Sequence, residues 1–503
     1  MSTTLSRPQT SRLKKLSLNL LSFFVVATTA ASTAISGCAA APEKDPNFLV
    51  KPYVQLGYNF ADKAGKVLTI TWFADEKADF KIKVKAADKE VPVTMAVREI
   101  SLPRQCFRYS ADLDFSGDSF KKTFVKYSYV IEKNSKPVFN ASGYARLSHG
   151  SEKDRSELKI VVFGDCGANT TGQKNIANQC YKQNPDLVVI PGDIVYQRGL
   201  FDEYLSNYFP IYNRDKADAE GVPLIRSVPV VPVLGNHDIA LSGRGVDLSN
   251  HPGALGYFHF FQVPLNGFSA TTGGANIPTL KGNPDRQKAF TSAAQDSFPR
   301  MANFSFDYGN THWTVIDGNF YMNWSDEKVR AWLREDLKKV KPGMWKFVTY
   351  HQPAFSIDAP HGKEQRMRLA QDILQEEKVD MVLCGHSHCY ERSRPLNFKP
   401  AGKDQALKLN PDGTVDGIIN TDPKFDGVKV TKANGVIHIV TGGGGANLYV
   451  KDPTYKPGDA HDYMPKFVAD RHSLTVLEIK GKELKFKQLD EDGKVIDQIT
   501  LEK

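Results

Sequence analysis

The sequence predicts an all-β sandwich followed by an α/β layered domain. Two observations carry that prediction. Between 51 and 150, "KVLTITWFAD", "DFKIKVKA", "VPVTMAVREI" and "FVKYSYVIEK" alternate apolar with polar residues or run β-branched, with turn residues between them. From 155 the pattern changes to short apolar strands separated by helical stretches, which points to helices layered on a sheet.

In the second region "LKIVVFGD" is an apolar strand, and a helix follows in "GQKNIANQCYKQN". "DLVVIPGD", "VPVVPVLGNHD" and "HWTVIDG" are further strands. The next helix keeps Val329, Trp332, Leu333, Leu337 and Val340 on one apolar face. "KFVTYH", "VDMVLCGH" and "GVIHIVTGGGG" complete the set. Residues 240–310 are rich in Gly, Asn and aromatics without a clear period and read as insertion loops. The tail, 466–503, reads as short strands with turns at Lys480-Gly481 and Asp492-Gly493 that complete the domain of 155–465. "SEKDRSE" at 151–157 is a polar boundary.

The first 37 residues stand apart. Arg7, Arg12, Lys14 and Lys15 precede a long apolar run, and small residues lead to Cys38 in "ISGC", the layout of an export signal. "ISGC" resembles a bacterial lipoprotein cleavage site, which implies lipid attachment at Cys38 and a membrane anchor without a spanning helix. A plain signal peptide and an uncleaved anchor helix are the alternatives. Ala39 after that cysteine resembles an outer-membrane sorting signal, so the expected place is the cell envelope. Residues 38–50 read as a tether.

Of the 65 basic residues, four lie in the leader, which has no Asp or Glu; 61 basic against 57 acidic residues remain, a net +4. That balance gives no indication of a nucleic-acid partner. Five of the six cysteines follow Cys38, so pairing leaves at least one over.

The chemistry gathers at strand ends. Asp165 closes the first strand of the second region, Asp193 the second, and Asn236, His237 and Asp238 the third. His351 ends "FVTYH", and His386 and His388 sit in "CGHSHC". Singly, such residues are turn formers, caps or hydrogen-bonded core groups. Together, at the carboxyl ends of strands in an open α/β sheet, they supply oxygen and nitrogen ligands for two cations, with a carboxylate shared between them. Burying such a cluster without metal would be costly.

The set GD-x-G, GD-x-x-Y, GNH-D, an isolated His after a strand and GH-x-H resembles the calcineurin-like metallophosphatases, and Tyr196 makes it similar to the purple acid phosphatases. The resemblance implies a four-layer α+β metallophosphatase sandwich preceded by a fibronectin type III-like domain. It implies that Asp165, Tyr196 and His388 hold a ferric ion, that Asp193 bridges, and that Asn236, His351 and His386 hold a divalent iron, zinc or manganese ion. A hard phenolate suits Fe(III), whose charge can drive the proton off a phenol. The implied reaction is hydrolysis of a small phosphate monoester, with an acidic optimum. His237 is the candidate acid for the leaving oxygen, with Asp238 to orient it, and His361 is a candidate phosphate contact. "TGGGGAN" at 441–447 is a candidate backbone edge of the pocket, or simply a tight turn. The alternatives are a phosphodiesterase or nucleotidase using two divalent ions, and a surface-binding lipoprotein without activity.

Overall fold

Strands in the first described region form two four-stranded antiparallel sheets, one in the order Val50–Gln55, Val67–Ala74, Cys106–Asp114, Val93–Ile100. The other runs Lys89–Glu90, Phe80–Ala86, Phe124–Lys133, Lys136–Arg146. The computed structural model describes residues 45–503 except 118, 121–123, 147–156, 271–274, 296, 402–405, 451–452 and 454–461. The leader, Cys38, residues 38–44 of the tether and the boundary at 151–156 therefore lie outside the described residues.

The two sheets show what alternation means physically. In Phe80–Ala86 the apolar residues Phe80, Ile82, Val84 and Ala86 are buried, while Lys81, Lys83 and Lys85 are exposed. The strand Val67–Ala74 is buried along its whole length because both its faces are covered. Trp72 stacks on Tyr109 at 5.4 Å, whereas Phe73 packs on Phe260 at 4.9 Å. Beside that contact Gln262 takes hydrogen bonds from Thr71 Oγ1 (2.7 Å) and Ser110 Oγ (2.8 Å), and its backbone N–H donates to Gln55 Oε1 (2.8 Å).

The second region is built on two large sheets, with three small ones beside them among the described residues. One is six-stranded: Val230–Pro232, Leu187–Ile190 and Glu157–Val162 run parallel, and Ser473–Lys480, Glu483–Asp490 and Val495–Glu502 continue antiparallel. The other is seven-stranded, with Thr311–Val315, Trp345–Thr349, Met381–Cys384 and Ile437–Thr441 parallel at its centre. Gly164 N–H donates to the Thr441 carbonyl (2.9 Å) where the two sheets meet. The tail turns form at Gly481 (φ +59°) and Gly493 (φ +86°).

Two readings need correction. Residues 240–310 are not only loops: they contain helices Gly256–Phe260 and Pro284–Ala293 and the strand Phe304–Tyr308. The Pro284–Ala293 helix buries only Phe290 and Ala293, which leaves no apolar stripe to read, although Asn283 caps it by accepting from Arg286 N–H. The helix at 327 ends at Lys338, so Val340 lies outside it.

Helix Glu327–Lys338 is tied to its sheet by a buried charged group. His312 lies 2.7 Å from Asp307 Oδ1 and 3.1 Å from Asp336 Oδ2, and Asp336 also accepts from Thr314 Oγ1 (2.8 Å). Burial disfavours the imidazolium, but the two carboxylates outweigh it and raise His312 to about 9. This contribution is fully present below the ordinary histidine pKa and is lost as pH rises through 9. His312→Gln should therefore destabilise by about 2–3 kcal/mol at pH 6, and by much less at pH 9.5. Denaturant unfolding at the two pH values measures this; an equal gap at both would contradict it.

Candidate metal centre

The first sheet delivers the carboxylates and the second the histidines. Asp165 follows Glu157–Val162, Asp193 and Tyr196 follow Leu187–Ile190, and Asn236 follows Val230–Pro232. His351 follows Trp345–Thr349, and His386 and His388 follow Met381–Cys384. The turns are tight enough to require glycine. A Cβ on Gly192 (φ +87°) would lie 2.3 Å from His351 Nδ1, and one on Gly385 2.5 Å from Asp165 Oδ2. Asp165, Asp193 and His386 themselves adopt left-handed backbone, at φ of 59°, 49° and 69°.

The side chains converge in two overlapping groups, Asp165–Asp193–His388 and Asp193–His351–His386, with Asp193 common to both. Tyr196 joins the first: its hydroxyl donates to Asp165 Oδ1 (3.1 Å) and lies 2.9 Å from His388 Nε2. His351 Nε2 lies 3.2 Å from Asp193 Oδ2, and His386 Nδ1 lies 3.3 Å from His351 Nε2. Asn236 presents a buried Oδ1 with no hydrogen-bond partner.

Each histidine has one nitrogen engaged on the far side. His351 Nδ1 donates to the Pro191 carbonyl (2.8 Å), and His388 Nδ1 to the Asn447 carbonyl (2.7 Å). His386 Nε2 faces Glu364 Oε2 at 3.2 Å. The free nitrogens, Nε2 of His351, Nε2 of His388 and Nδ1 of His386, all point inward, the arrangement of imidazoles oriented for metal by outer acceptors.

The electrostatics agree with that geometry. Burial disfavours a charged His351, yet Asp193 and Asp165 raise it to about 10. Burial would raise Asp193, but His351 and His237 hold it well below the usual carboxylate range. Burial, then Asp165 and Asp193, push the Tyr196 phenol far up. Burial lowers His386 to about 4, so it is neutral. A proton on His351 offsets part of the buried negative charge, and the neutral Tyr196 hydroxyl only hydrogen-bonds Asp165; cations in that space would supply the rest. The orphan Asn236 oxygen, the facing nitrogens and the shared carboxylate all fit two metal ions.

The other candidates are placed differently. His237, half-buried, donates Nδ1–H to the Gln197 carbonyl (2.7 Å), and its Nε2 lies 3.9 Å from Asp193 Oδ2. Asp238 does not orient it, contrary to expectation. Asp238 is fully buried and accepts from Ile194 N–H (3.0 Å), Tyr204 hydroxyl (3.1 Å) and Gly235 N–H (2.9 Å). It joins the 192–196 turn to the 235–238 turn. His361 lies with its ring 4.0 Å from His386 and its Nδ1 2.8 Å from Glu364 Oε1. The run at 441–447 does edge the cluster: Ala446 N–H donates to the Asp165 carbonyl (2.9 Å).

Two neighbours were missed in the sequence. Glu364 bridges His361 and His386, and Tyr449 stacks on His388 at 4.1 Å. The spacing His361-x-x-Glu364 was visible but is common on any surface turn. Cys106, Cys166, Cys180, Cys384 and Cys389 are all buried and unpaired. Glu364→Ala removes the acceptor behind His386. Affinity for a divalent ion, measured by competition with a chromogenic chelator, should fall by about 10–100-fold. An unchanged affinity would mean that Glu364 does not orient His386.

Residues 158–390 match the calcineurin-like phosphoesterase family. Over 294 residues the chain is 27% identical to purple acid phosphatase 23 of Arabidopsis thaliana, covering 54% of this chain and 56% of that protein. Over 276 residues it is 37% identical to purple acid phosphatase 21 of the same plant, covering 54% and 53%. It is also 26% identical over 378 residues to a nucleotide pyrophosphatase/phosphodiesterase of Hordeum vulgare, covering 68% of this chain and 82% of that one. The chain spans about half the length of the two Arabidopsis relatives. With its calcineurin-like phosphoesterase region and these relatives, the chain belongs to the purple acid phosphatase superfamily.

Proposed function

We propose that this chain hydrolyses phosphate monoesters at a ferric–divalent pair, with a mildly acidic optimum. The observation that carries the proposal is Tyr196, whose hydroxyl lies between Asp165 Oδ1 and His388 Nε2 rather than against an apolar wall. Asp165, Tyr196 and His388 would hold the ferric ion, and Asn236, His351 and His386 the divalent iron, zinc or manganese ion, with Asp193 shared. Bound there, the two cations would offset the phosphoryl charge and make water nucleophilic below neutral pH.

The protein's own groups do the rest. A protonated His237 that keeps Nδ1–H on the Gln197 carbonyl still has an Nε2–H for the leaving oxygen. His361, with Nδ1 toward Glu364, has Nε2 free for a phosphoryl oxygen. Asp238 acts by holding the two ligand turns together. The leader's layout supports export and lipid attachment at Cys38, and the paired sheets of 50–146 support a fibronectin-like domain. The Hordeum relative favours a second reading, a diesterase or nucleotidase with two divalent ions.

The visible spectrum of the chain from residue 39 onward, with Tyr196→Phe alongside, tests the ferric assignment. A purple or pink band lost in the variant is expected; a colourless protein with two divalent ions would favour the second reading. Asp193→Asn should lower hydrolysis of p-nitrophenyl phosphate at least about a hundredfold. Undiminished turnover would remove the dinuclear mechanism.

A further inference from the structure

The loop that follows Tyr196 is held by a carboxylate to which the proposed reaction gives no role. Glu203 closes the short helix Phe201–Glu203, and its side chain accepts from three backbone N–H groups. Leu200 N–H reaches Oε2 (2.8 Å), Gln197 N–H reaches Oε1 (2.6 Å) and Arg198 N–H reaches Oε2 (3.0 Å). The Leu200 bond is what a helix start asks of a glutamate at its third position. The other two lie outside the helix, on the two residues directly after the ligand Tyr196. The side chains of Gln197 and Arg198 are exposed, so no core packing fixes this stretch. Its only other nearby tie is Asn207 Nδ2, which donates to the Tyr196 carbonyl (3.3 Å).

Arg198 N–H and the Gln197 carbonyl belong to one trans peptide unit, so they point in opposite directions. The N–H faces Glu203, and the carbonyl faces His237 and accepts its Nδ1–H (2.7 Å). A carboxylate on the N–H polarises the unit and makes its carbonyl a stronger acceptor. The carbonyl keeps the proton of a neutral His237 on Nδ1. It thereby turns Nε2 toward the cluster, 3.9 Å from Asp193 Oδ2. His237 is also held through its backbone N–H, which donates to Asp193 Oδ1 (2.9 Å), and its ring lies 4.7 Å from that of Tyr196. Neither contact chooses between the two ring nitrogens. The Gln197 carbonyl does.

We propose that Glu203 is a positioning residue for His237, acting through the Gln197–Arg198 peptide. The carboxylate clamps that peptide with its carbonyl toward His237, and so presents Nε2 to the leaving oxygen. Without the clamp the peptide is free to turn, and an N–H facing the ring would reverse the tautomer. The inference rests on the reading that His237 protonates the leaving oxygen, and it adds a residue that sets the ring from outside the metal centre.

Two measurements test it. The first is nitrogen NMR of the zinc-loaded full chain with isotope-labelled histidine, in mildly alkaline buffer, for wild type, E203A and E203Q, with H237Q to assign the signal. Wild type should show the Nδ1–H tautomer at His237, E203A a mixture, and E203Q an intermediate, since its one remaining oxygen still accepts. An unmoved tautomer in E203A would overturn the proposal. The second compares turnover of glycerol 2-phosphate, whose alkoxide needs a proton to leave, with that of p-nitrophenyl phosphate, whose phenolate does not. E203A should lower the ratio of the two rates about tenfold, and E203Q less. In an H237A background E203A should change the ratio no further. Equal losses on both substrates would reduce Glu203 to a support of the loop and overturn the proposal. Should E203A fail to fold, E203Q decides by the same two readouts. A moved tautomer in a chain inert toward both esters would uphold the positioning role and count against the monoesterase reading. Normal turnover with an unmoved tautomer would do the reverse.

Discussion

Burying two carboxylates side by side is the constraint on which this domain turns. Asp165 and Asp193 are almost wholly inaccessible, and both carry oxygens within reach of His351 Nε2, at 3.9 and 3.2 Å. Their mutual repulsion and desolvation demand positive charge close by. One sheet cannot supply both partners, because neighbouring strand ends on the first sheet already carry the acids. The second sheet brings the imidazoles, and the seam between the sheets is closed by backbone hydrogen bonds, Gly164 to Thr441 and Gly444 to Gly164 (3.0 Å). The glycines at the strand ends serve the same end, since any side chain there would push the acids and imidazoles apart.

Much of this centre was legible in the sequence, because each ligand ends an apolar run and follows a glycine or a strand. Less legible was which sheet each strand enters. Glu157–Val162 pairs on one side with Leu187–Ile190 and on the other with Ser473–Lys480, some three hundred residues away, and no local pattern encodes that choice. Asp238 shows a different failure. It stands next to His237 in the chain, but both lie in the 3-10 turn His237–Ile239, where successive residues point about a third of a turn apart. Adjacency in sequence there means divergence in space. Glu364 and Tyr449 act from loops whose residues have ordinary surface roles elsewhere, so only the assembled fold reveals them. The helices of 240–310 were hidden for opposite reasons: Gly256–Phe260 is short and buried at every position, and Pro284–Ala293 buries only Phe290 and Ala293, so neither shows an apolar stripe.

The front β-region is more than an attachment. Gln262 belongs to the second region, yet its side-chain Oε1 accepts from Thr71 and Ser110 and its backbone N–H donates to Gln55. Tyr53 hydroxyl donates to the Phe260 carbonyl at 2.6 Å in the same contact. This joint holds the 255–262 segment, and Gly256 in that segment accepts no Cβ because Tyr204 lies 2.4 Å from where one would be. Tyr204 in turn holds Asp238, so the β-region reaches the ligand turns through three consecutive contacts.

The left-handed backbone at Asp165 and Asp193 bears on how such a protein changes over generations. Few residues tolerate that conformation; asparagine is one of them, and it has nearly the shape of aspartate. An Asp-to-Asn exchange would therefore keep the turns, relieve the repulsion between the acids and leave a sturdy fold. On the function proposed above, the exchange that would silence hydrolysis is thus one the turns themselves accept, and duplicated copies freed from selection on turnover could drift into folded, inert descendants by that route.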